Sequence, residues 1–250
     1  MLDRKRVFDE FRRDGVVRLA RFLDAAEINE LDANLTRYIT EIVPKLPAAN
    51  AFYEVDGDRR ELKQMQRLTD HDSYFDQLRH QPKFVGLAEL LLGGPVRSEG
   101  VEWFNKPAGL SKPTPPHQDG FYFCLKPDEA VTVWIALDDV DEENGCVRYV
   151  RGSYLEGVRP HGRSAVLGFS QTILDFGPPV KAREFVGIVK RGDVLVHHSS
   201  TIHWAEANKS SRSRRAAGLV YYSQRAQRDE AAFARYLESS RSQQRALGAI

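Results

Sequence analysis

His117 and Asp119 stand one residue apart near the middle of the chain. On an extended backbone, side chains at i and i+2 leave the same face, so this spacing aims an imidazole and a carboxylate at one point. Two ligands from one strand leave most of a metal's coordination sphere empty, and a third must come from elsewhere. The segment 194–203, VLVHHSSTIH, offers His197, His198 and His203 at the end of an apolar run. Two imidazoles and one carboxylate on one face of an octahedron form a facial triad with open positions opposite. Non-haem iron(II) oxygenases use those positions for a chelating co-substrate and for dioxygen. The same donors suit zinc, which would activate water for hydrolysis. A His-x-Asp triplet is weak by itself, since short patterns recur by chance.

Arg214, eleven residues after His203, adds weight. A planar guanidinium makes two parallel charge-assisted hydrogen bonds to a carboxylate, which suits the distal carboxylate of 2-oxoglutarate. Zinc hydrolysis has no need of such a group. Arg214 lies in the basic cluster Arg212-Ser213-Arg214-Arg215, a composition that also fits a solvated turn. The run AAGLVYYS at 216–223 argues instead for a strand that can turn Arg214 into a barrel interior.

The elements that must position these residues change character along the chain. The first third reads helical. Val7, Phe8 and Phe11 recur at helical spacing before Gly15. Asp24 is a good N-cap for a helix whose stripe is Ile28, Leu31, Leu35, Ile39 and Ile42, ended by Pro44 and Pro47. A further helix is expected from about Phe84 to Leu92, closed by Gly93-Gly94-Pro95. Short β-rich runs follow: VRSEGVEWFN, GFYFCL, AVTVWIAL, CVRYVRGSY, REFVGIVKRGDVLVHH and AAGLVYYS, with a tight turn at Lys190-Arg191-Gly192-Asp193. The pattern predicts a mainly β fold with flanking helices and a double-stranded β-helix (jelly-roll, cupin-like) core. We expect one domain over 1–250: a helical third at about 1–95, the core at about 96–223, and a polar C-terminal helix at about 224–250. The tail, 228–246, reads as a solvated helix or an oligomer contact.

Composition sets limits. With 250 residues, 42% of them hydrophobic, the chain can bury a core without disulfides. A net charge of +1, from 36 basic and 35 acidic residues, gives no field that favours nucleic acid or a membrane surface. Two cysteines are too few for a disulfide framework, so a reducing cytoplasm is expected. The charged N-terminus lacks the apolar stretch of a secretory signal. A small-molecule substrate is expected, with no nucleic-acid or membrane partner; oligomeric state is left open.

Several segments, in order, carry a resemblance. They are Phe104-Asn105-Lys106-Pro107, the run PHQDGFYF at 116–123, VWIALDDVDEENGCVR at 133–148, Gly152-Ser153, and GDVLV at 192–196 continuing through His203, Asn208 and Arg214-Arg215-Ala216. Together they resemble the phytanoyl-CoA hydroxylase-like branch of the iron(II)/2-oxoglutarate dioxygenases, from about Val7 to Tyr222. The resemblance implies an enzyme with Fe(II), the co-substrate 2-oxoglutarate and dioxygen. It selects His203 among the three histidines, because the family's distal ligand is followed by a short linker to Asn and Arg. The implied catalytic metal ligands are therefore His117, Asp119 and His203. Arg214 would bind the co-substrate, with Lys106 and Trp134 bordering it. On residue type alone, Lys106 also fits a solvated charge and Trp134 a core position. The implied reaction is hydroxylation of an aliphatic C–H bond of a small organic metabolite, releasing succinate and carbon dioxide. Related halogenases carry a small residue where Asp119 stands, which favours hydroxylation here.

One departure stands out. The family often has Gly-Ser after the distal histidine, and this chain has Trp204 and Ala205. A hydroxyl partner for the co-substrate carboxylate would then come from Ser199, Ser200, Thr201 or Thr132. Substrate contacts are expected from Gln64-Met65-Gln66, Phe121, Tyr122 and the loop 154–179. That loop, with Arg159, His161 and Arg163, suits an anionic substrate or plain solvation. The alternatives are a metal-dependent hydrolase, a cupin-type dioxygenase without 2-oxoglutarate, and a non-catalytic ligand-binding jelly roll. The complete triad disfavours the last.

Overall fold

The N-terminal elements follow from their caps. Helix α1 (Arg4–Asp14) opens with the Asp3 carboxylate accepting from the Arg6 N–H and stops at Gly15, whose φ is 71°. Strand β1 (Val16–Leu19) follows directly. Helix α2 (Ala25–Arg37) starts with a capping box between Asp24 and Glu27 and continues through a π turn, Tyr38–Ile42. Strands β2 (Ala51–Asp56) and β3 (Arg59–Met65) come next. Helices α3 (Ser73–Leu78) and α4 (Pro82–Leu92) complete this part, with Gly93 at φ 71° closing α4.

The remaining chain is mostly strands: β4 (Val96–Lys106), β5 (Thr114–His117), β6 (Leu125–Lys126), β7 (Ala130–Ala136) and β8 (Val147–Val150), with a single-turn α5 (Asp119–Phe123) after β5. Then come β9 (His161–Val166), β10 (Phe169–Ile173), the short α6 (Pro178–Lys181) and β11 (Glu184–Val186). The last elements are β12 (Val194–His198), β13 (His203–Ala205), β14 (Arg214–Ser223), β15 (Gln227–Arg228) and helix α7 (Glu230–Ala246). This computed structural model describes residues 2–47, 50–56, 59–166 and 169–246.

A large sheet has the order β1-β12-β7-β14-β4-β3-β2, and a smaller one the order β11-β8-β13-β5. Every pairing in both sheets is antiparallel. This is the expected jelly-roll core with helices on one side. Alternation sorts the large sheet's side chains. Val131, Val133 and Ile135 of β7, Val101 and Trp103 of β4, and Ala217, Leu219 and Tyr221 of β14 pack with α1, α2 and α4 in the main core. The intervening residues Thr132, Trp134, Glu102, Phe104, Lys106, Arg214, Gly218 and Tyr222 line a cavity on the other face. Among the described residues, no helix is long and apolar enough to cross a membrane.

Two sequence expectations need correction, and one element, α3, had no expectation. The first third is not purely helical, because β1, β2 and β3 join the large sheet. β1 has only four residues and β3 is rich in charge, RRELKQM, so neither carries a clear two-residue apolar period. GFYFCL at 120–125 does not form one strand. Gly120 donates to the Ser199 carbonyl at 2.9 Å and Cys124 to the Gly120 carbonyl at 3.1 Å, closing α5. Helix α3 was not expected at all; Asp72 caps it through the Tyr74 N–H.

Gly15 allows a tight junction between α1 and the strand beside β12. A Cβ there would lie 2.5 Å from Thr201 Oγ1 and 2.6 Å from Tyr154 Cδ1, on top of the positive φ. Gly15→Ala is expected to destabilise the protein by about 1–3 kcal/mol, read as a lower urea midpoint at unchanged slope.

Candidate metal centre and cavity

His117 ends β5 and His203 begins β13, and the two are directly opposed across that antiparallel pair. Their ring centroids are 4.1 Å apart. Between His117 and Asp119, Gln118 is extended (φ −128°, ψ 128°) and fully buried. Its amide donates to the Ser200 and Gly157 carbonyls at 2.6 and 2.9 Å and accepts from the Arg159 N–H at 2.8 Å. The spacer residue is therefore locked, and its neighbours point inward together. One donor atom from each of His117, Asp119 and His203 lies within 4.8 Å of the others, a grouping that could hold a metal ion. Asp119 Oδ1 is 3.8 Å from His117 Nε2 and 3.7 Å from His203 Nε2.

Hydrogen bonds behind these atoms set their orientation. His117 Nδ1 lies 2.8 Å from the Pro115 carbonyl and His203 Nδ1 2.9 Å from the Thr201 carbonyl. A carbonyl only accepts, so each Nδ1 carries the proton and each Nε2 lone pair faces the centre. Asp119 Oδ2 accepts from Thr132 Oγ1 at 3.0 Å and from His197 Nε2 at 3.2 Å. With its Nε2 donating, His197 accepts at Nδ1 from the Tyr149 hydroxyl, 3.3 Å away. Burial lowers the pKa of His117, and that of His203 far more, which keeps both imidazoles neutral. Burial alone would raise Asp119, but the attraction of any proton carried by His203, His197 or His117, with the His197 hydrogen bond, outweighs it and holds the carboxyl far below its usual range. Two neutral nitrogens and one anionic oxygen are a fitting donor set for a divalent iron site with open positions.

A cationic corner lies on the same inner sheet face. Arg214 and Lys106 are register partners across β14 and β4, and each is 4% exposed. Arg214 Nε donates to the Gly145 carbonyl at 3.2 Å, and its guanidinium carbon sits 5.4 Å from the Trp134 ring centre. Lys106 Nζ donates to the Lys112 carbonyl at 2.7 Å. Among the described residues neither cation has a carboxylate within ion-pair distance. Burial brings Arg214 down to about 10; burial, then the neighbouring Arg214 charge, lowers Lys106 well below its ordinary value. Two adjacent buried cations without an acid are costly until an anion arrives. The three residues expected around the co-substrate are thus together.

The four hydroxyls expected to replace the missing serine are engaged elsewhere. Thr132 bonds Asp119, Ser199 and Ser200 both bond Asp128, and Thr201 bonds the Gly15 carbonyl.

The cavity between the sheets has a volume of about 800 Å³. Gln64, Gln66 and Tyr122 line it, whereas Met65 is in the helix-facing core and Phe121 stacks on His161 with centroids 4.4 Å apart. Two of the basic loop residues are engaged within the chain: Arg159 pairs with Asp175, and His161 Nε2 accepts from the Gln118 N–H at 3.1 Å, while Arg163 is exposed. Burial lowers His161 to about 4, so it is neutral. One face of the tail helix is turned into the cavity and is not freely solvated. Phe233, Tyr236, Leu237 and Arg241 of α7 line the cavity, and Tyr236 packs on Tyr122 with centroids 5.4 Å apart. Sequence reasoning missed Tyr149, which lines the centre from β8, and Glu102, which faces the cavity from β4. Burial, then the charge of Asp119, pushes Glu102 up to about 7.

The chain matches the phytanoyl-CoA dioxygenase (PhyH) family model over residues 11–216. It is 26% identical over 237 residues to an Arabidopsis thaliana phytanoyl-CoA dioxygenase, covering 85% of this chain and 82% of the relative. It is 31% identical to the Mus musculus phytanoyl-CoA dioxygenase domain-containing protein 1 over 154 residues, 60% of this chain and about half (53%) of that protein. Among solved structures it resembles the epimerase SnoN in complex with Fe3+, alpha ketoglutarate and nogalamycin RO. That likeness has a TM-score of 0.75 and 27% identity over 89% of this chain and 84% of SnoN. AviO1 from Streptomyces viridochromogenes is similar with a TM-score of 0.70 and 26% identity, over 91% of this chain and 98% of AviO1.

Thr132→Val removes one of the two donors to Asp119 Oδ2 while keeping side-chain shape. It is expected to weaken iron(II) binding by about 10–100-fold, measured by anaerobic metal titration.

Proposed function

The chain belongs to the phytanoyl-CoA dioxygenase family, and we propose that it hydroxylates an aliphatic C–H bond of a small organic metabolite. It is an iron- and 2-oxoglutarate-dependent oxygenase. In the proposed reaction one oxygen atom of dioxygen enters the substrate as hydroxyl and the other enters succinate, with loss of carbon dioxide. The observation that carries this reading is the buried Arg214, without an acid partner, in the same cavity as the His117–Asp119–His203 cluster.

His117, Asp119 and His203 would hold iron(II). Bound there, the metal and 2-oxoglutarate supply the oxidising chemistry. The chain's own residues bind and orient. The Pro115 and Thr201 carbonyls keep the two Nε2 lone pairs directed inward. Thr132 and His197 hold Asp119 Oδ2, leaving Oδ1 for the metal. Arg214 takes the far carboxylate of 2-oxoglutarate, with the Trp134 ring 5.4 Å from the guanidinium carbon and Lys106 beside it. A zinc hydrolase or a cupin that does without 2-oxoglutarate leaves this cationic corner without a task. Because α7 lines the cavity, we take 1–250 as one functional domain. The free thiols Cys124 and Cys146 accord with a cytoplasmic location.

The test is the visible absorption spectrum of the anaerobic protein with iron(II) and 2-oxoglutarate. A metal-to-ligand charge-transfer band is expected, because a chelated keto acid and a ferrous ion must both be present. His203→Ala should abolish it. Arg214→Ala should raise the 2-oxoglutarate concentration for half-formation by at least about 30-fold. Iron binding without a band at any 2-oxoglutarate concentration would exclude the co-substrate.

A further inference from the structure

Charge divides the inner face of the large sheet. Arg214 and Lys106 occupy one end. Glu102 occupies the other, on the same face of β4 as Lys106 and directly across from Gly218 of β14. Gly218 has no side chain, and a Cβ there would lie 3.1 Å from the Phe104 ring. The Phe104 ring packs over Gly218 in place of a side chain, so no polar or charged group from that register position faces the carboxylate. Gln64, 3% exposed on the next strand, hydrogen-bonds Glu102 through its side chain, and its buried Oε1 has no partner.

The other acids of the cavity are paired with cations or belong to the metal cluster. Glu54 pairs with Lys63 at 3.2 Å, Asp70 with Arg67, and Glu99 with Arg228 at 3.4 Å. Asp119 belongs to the metal cluster. Glu102 alone among them makes no ion pair within the described residues. A half-buried carboxylate in a cavity, with one amide as its polar partner, is only partly compensated. A ligand cation would complete it.

We propose that Glu102, backed by Gln64, receives a protonated amine of the substrate, so that the substrate class is a small organic amine bearing the aliphatic C–H bond to be oxidised. This rests on the oxygenase reading above. The placement sorts the two small molecules by charge. The 2-oxoglutarate dianion is attracted to Arg214 and repelled by Glu102, and an ammonium group experiences the reverse. Aromatic rings line the space for the carbon skeleton: Phe104 and Tyr222 from the sheet, Phe233 and Tyr236 from α7. Such faces also favour a nearby cation. Helix α7 lies beyond residues 11–216 of the family match, so this wall is a feature of the chain outside the shared segment.

The experiment uses anaerobic enzyme loaded with iron(II) and 2-oxoglutarate. The charge-transfer band is recorded first and reports separately on the co-substrate reading. Benzylamine and cyclohexylamine are then titrated against benzyl alcohol and cyclohexanol by calorimetry, for wild type and for Glu102→Gln. The amines are expected to bind about tenfold or more tightly than the matching alcohols in wild type. In Glu102→Gln, which keeps the shape and loses the charge, that preference should fall to within about twofold. Retention of the band in the variant establishes that it is folded and loaded. Equal binding of amines and alcohols by wild type, no binding of either amine, or an amine preference that survives in Glu102→Gln would each overturn the assignment. If the band forms and the amines fail, only the amine site is lost. If the band itself is absent, the co-substrate reading fails first.

Discussion

The register of four antiparallel strands holds the site together. β12, β7, β14 and β4 lie side by side, and each presents alternate residues to the helices and to the cavity. A slip of one residue in β14 would turn Arg214 and Gly218 toward α1 and α4 and bring Leu219 into the cavity. Side-chain direction reverses at every residue of a strand, so such a slip cannot be absorbed locally. The apolar set Val131, Val133, Ile135, Val194, Val196 and Leu219, all fully buried against the helices, penalises it. The functional face is thus positioned by the burial of the face behind it.

On that scaffold, buried charge is arranged by end. Arg214 and Lys106 are adjacent cations, Asp119 is an anion among imidazoles, and Glu102 lacks an ion-pair partner. Buried charges without partners disfavour folding, and ligands that neutralise them favour it. Such strain is tolerable in a domain whose apolar core is extensive and whose helices are well capped. It also makes recognition selective, because a cation and an anion cannot exchange places in the cavity without meeting like charge.

The metal cluster depends equally on groups that never touch the metal. The Pro115 and Thr201 carbonyls decide which imidazole nitrogen faces inward. Thr132 and the His197–Tyr149 pair decide which Asp119 oxygen does. Gln118, bonded to three separate backbone groups, prevents the spacer between two ligands from rotating. The two carbonyl contacts are local, two residues from each histidine, whereas the His197–Asp119 and Gln118–Ser200 contacts join segments 78 and 82 residues apart.

By itself the sequence determined what is local in physical origin. The His-x-Asp spacing, the caps at Asp24 and Gly15, the β-rich runs that become β7 and β14, and the guanidinium eleven residues after His203 are all short-range patterns. From them the jelly-roll core, His117, Asp119 and Arg214 could be named, while the choice of His203 and the placing of Lys106 and Trp134 came from the resemblance to the family. Tertiary structure decided what depends on pairing between remote segments. It gave Thr132 to Asp119 and not to the co-substrate carboxylate, and it brought β2 and β3 from the helical third into the large sheet. It bent 119–123 into a helical turn through a bond from Gly120 to Ser199. It also laid α7 along the cavity and left Glu102 lining it without an ion-pair partner among the described residues. A residue's type states which bonds it can make. Which of them it makes is set by the partner that folding brings within reach, and for these residues that partner lies far along the chain.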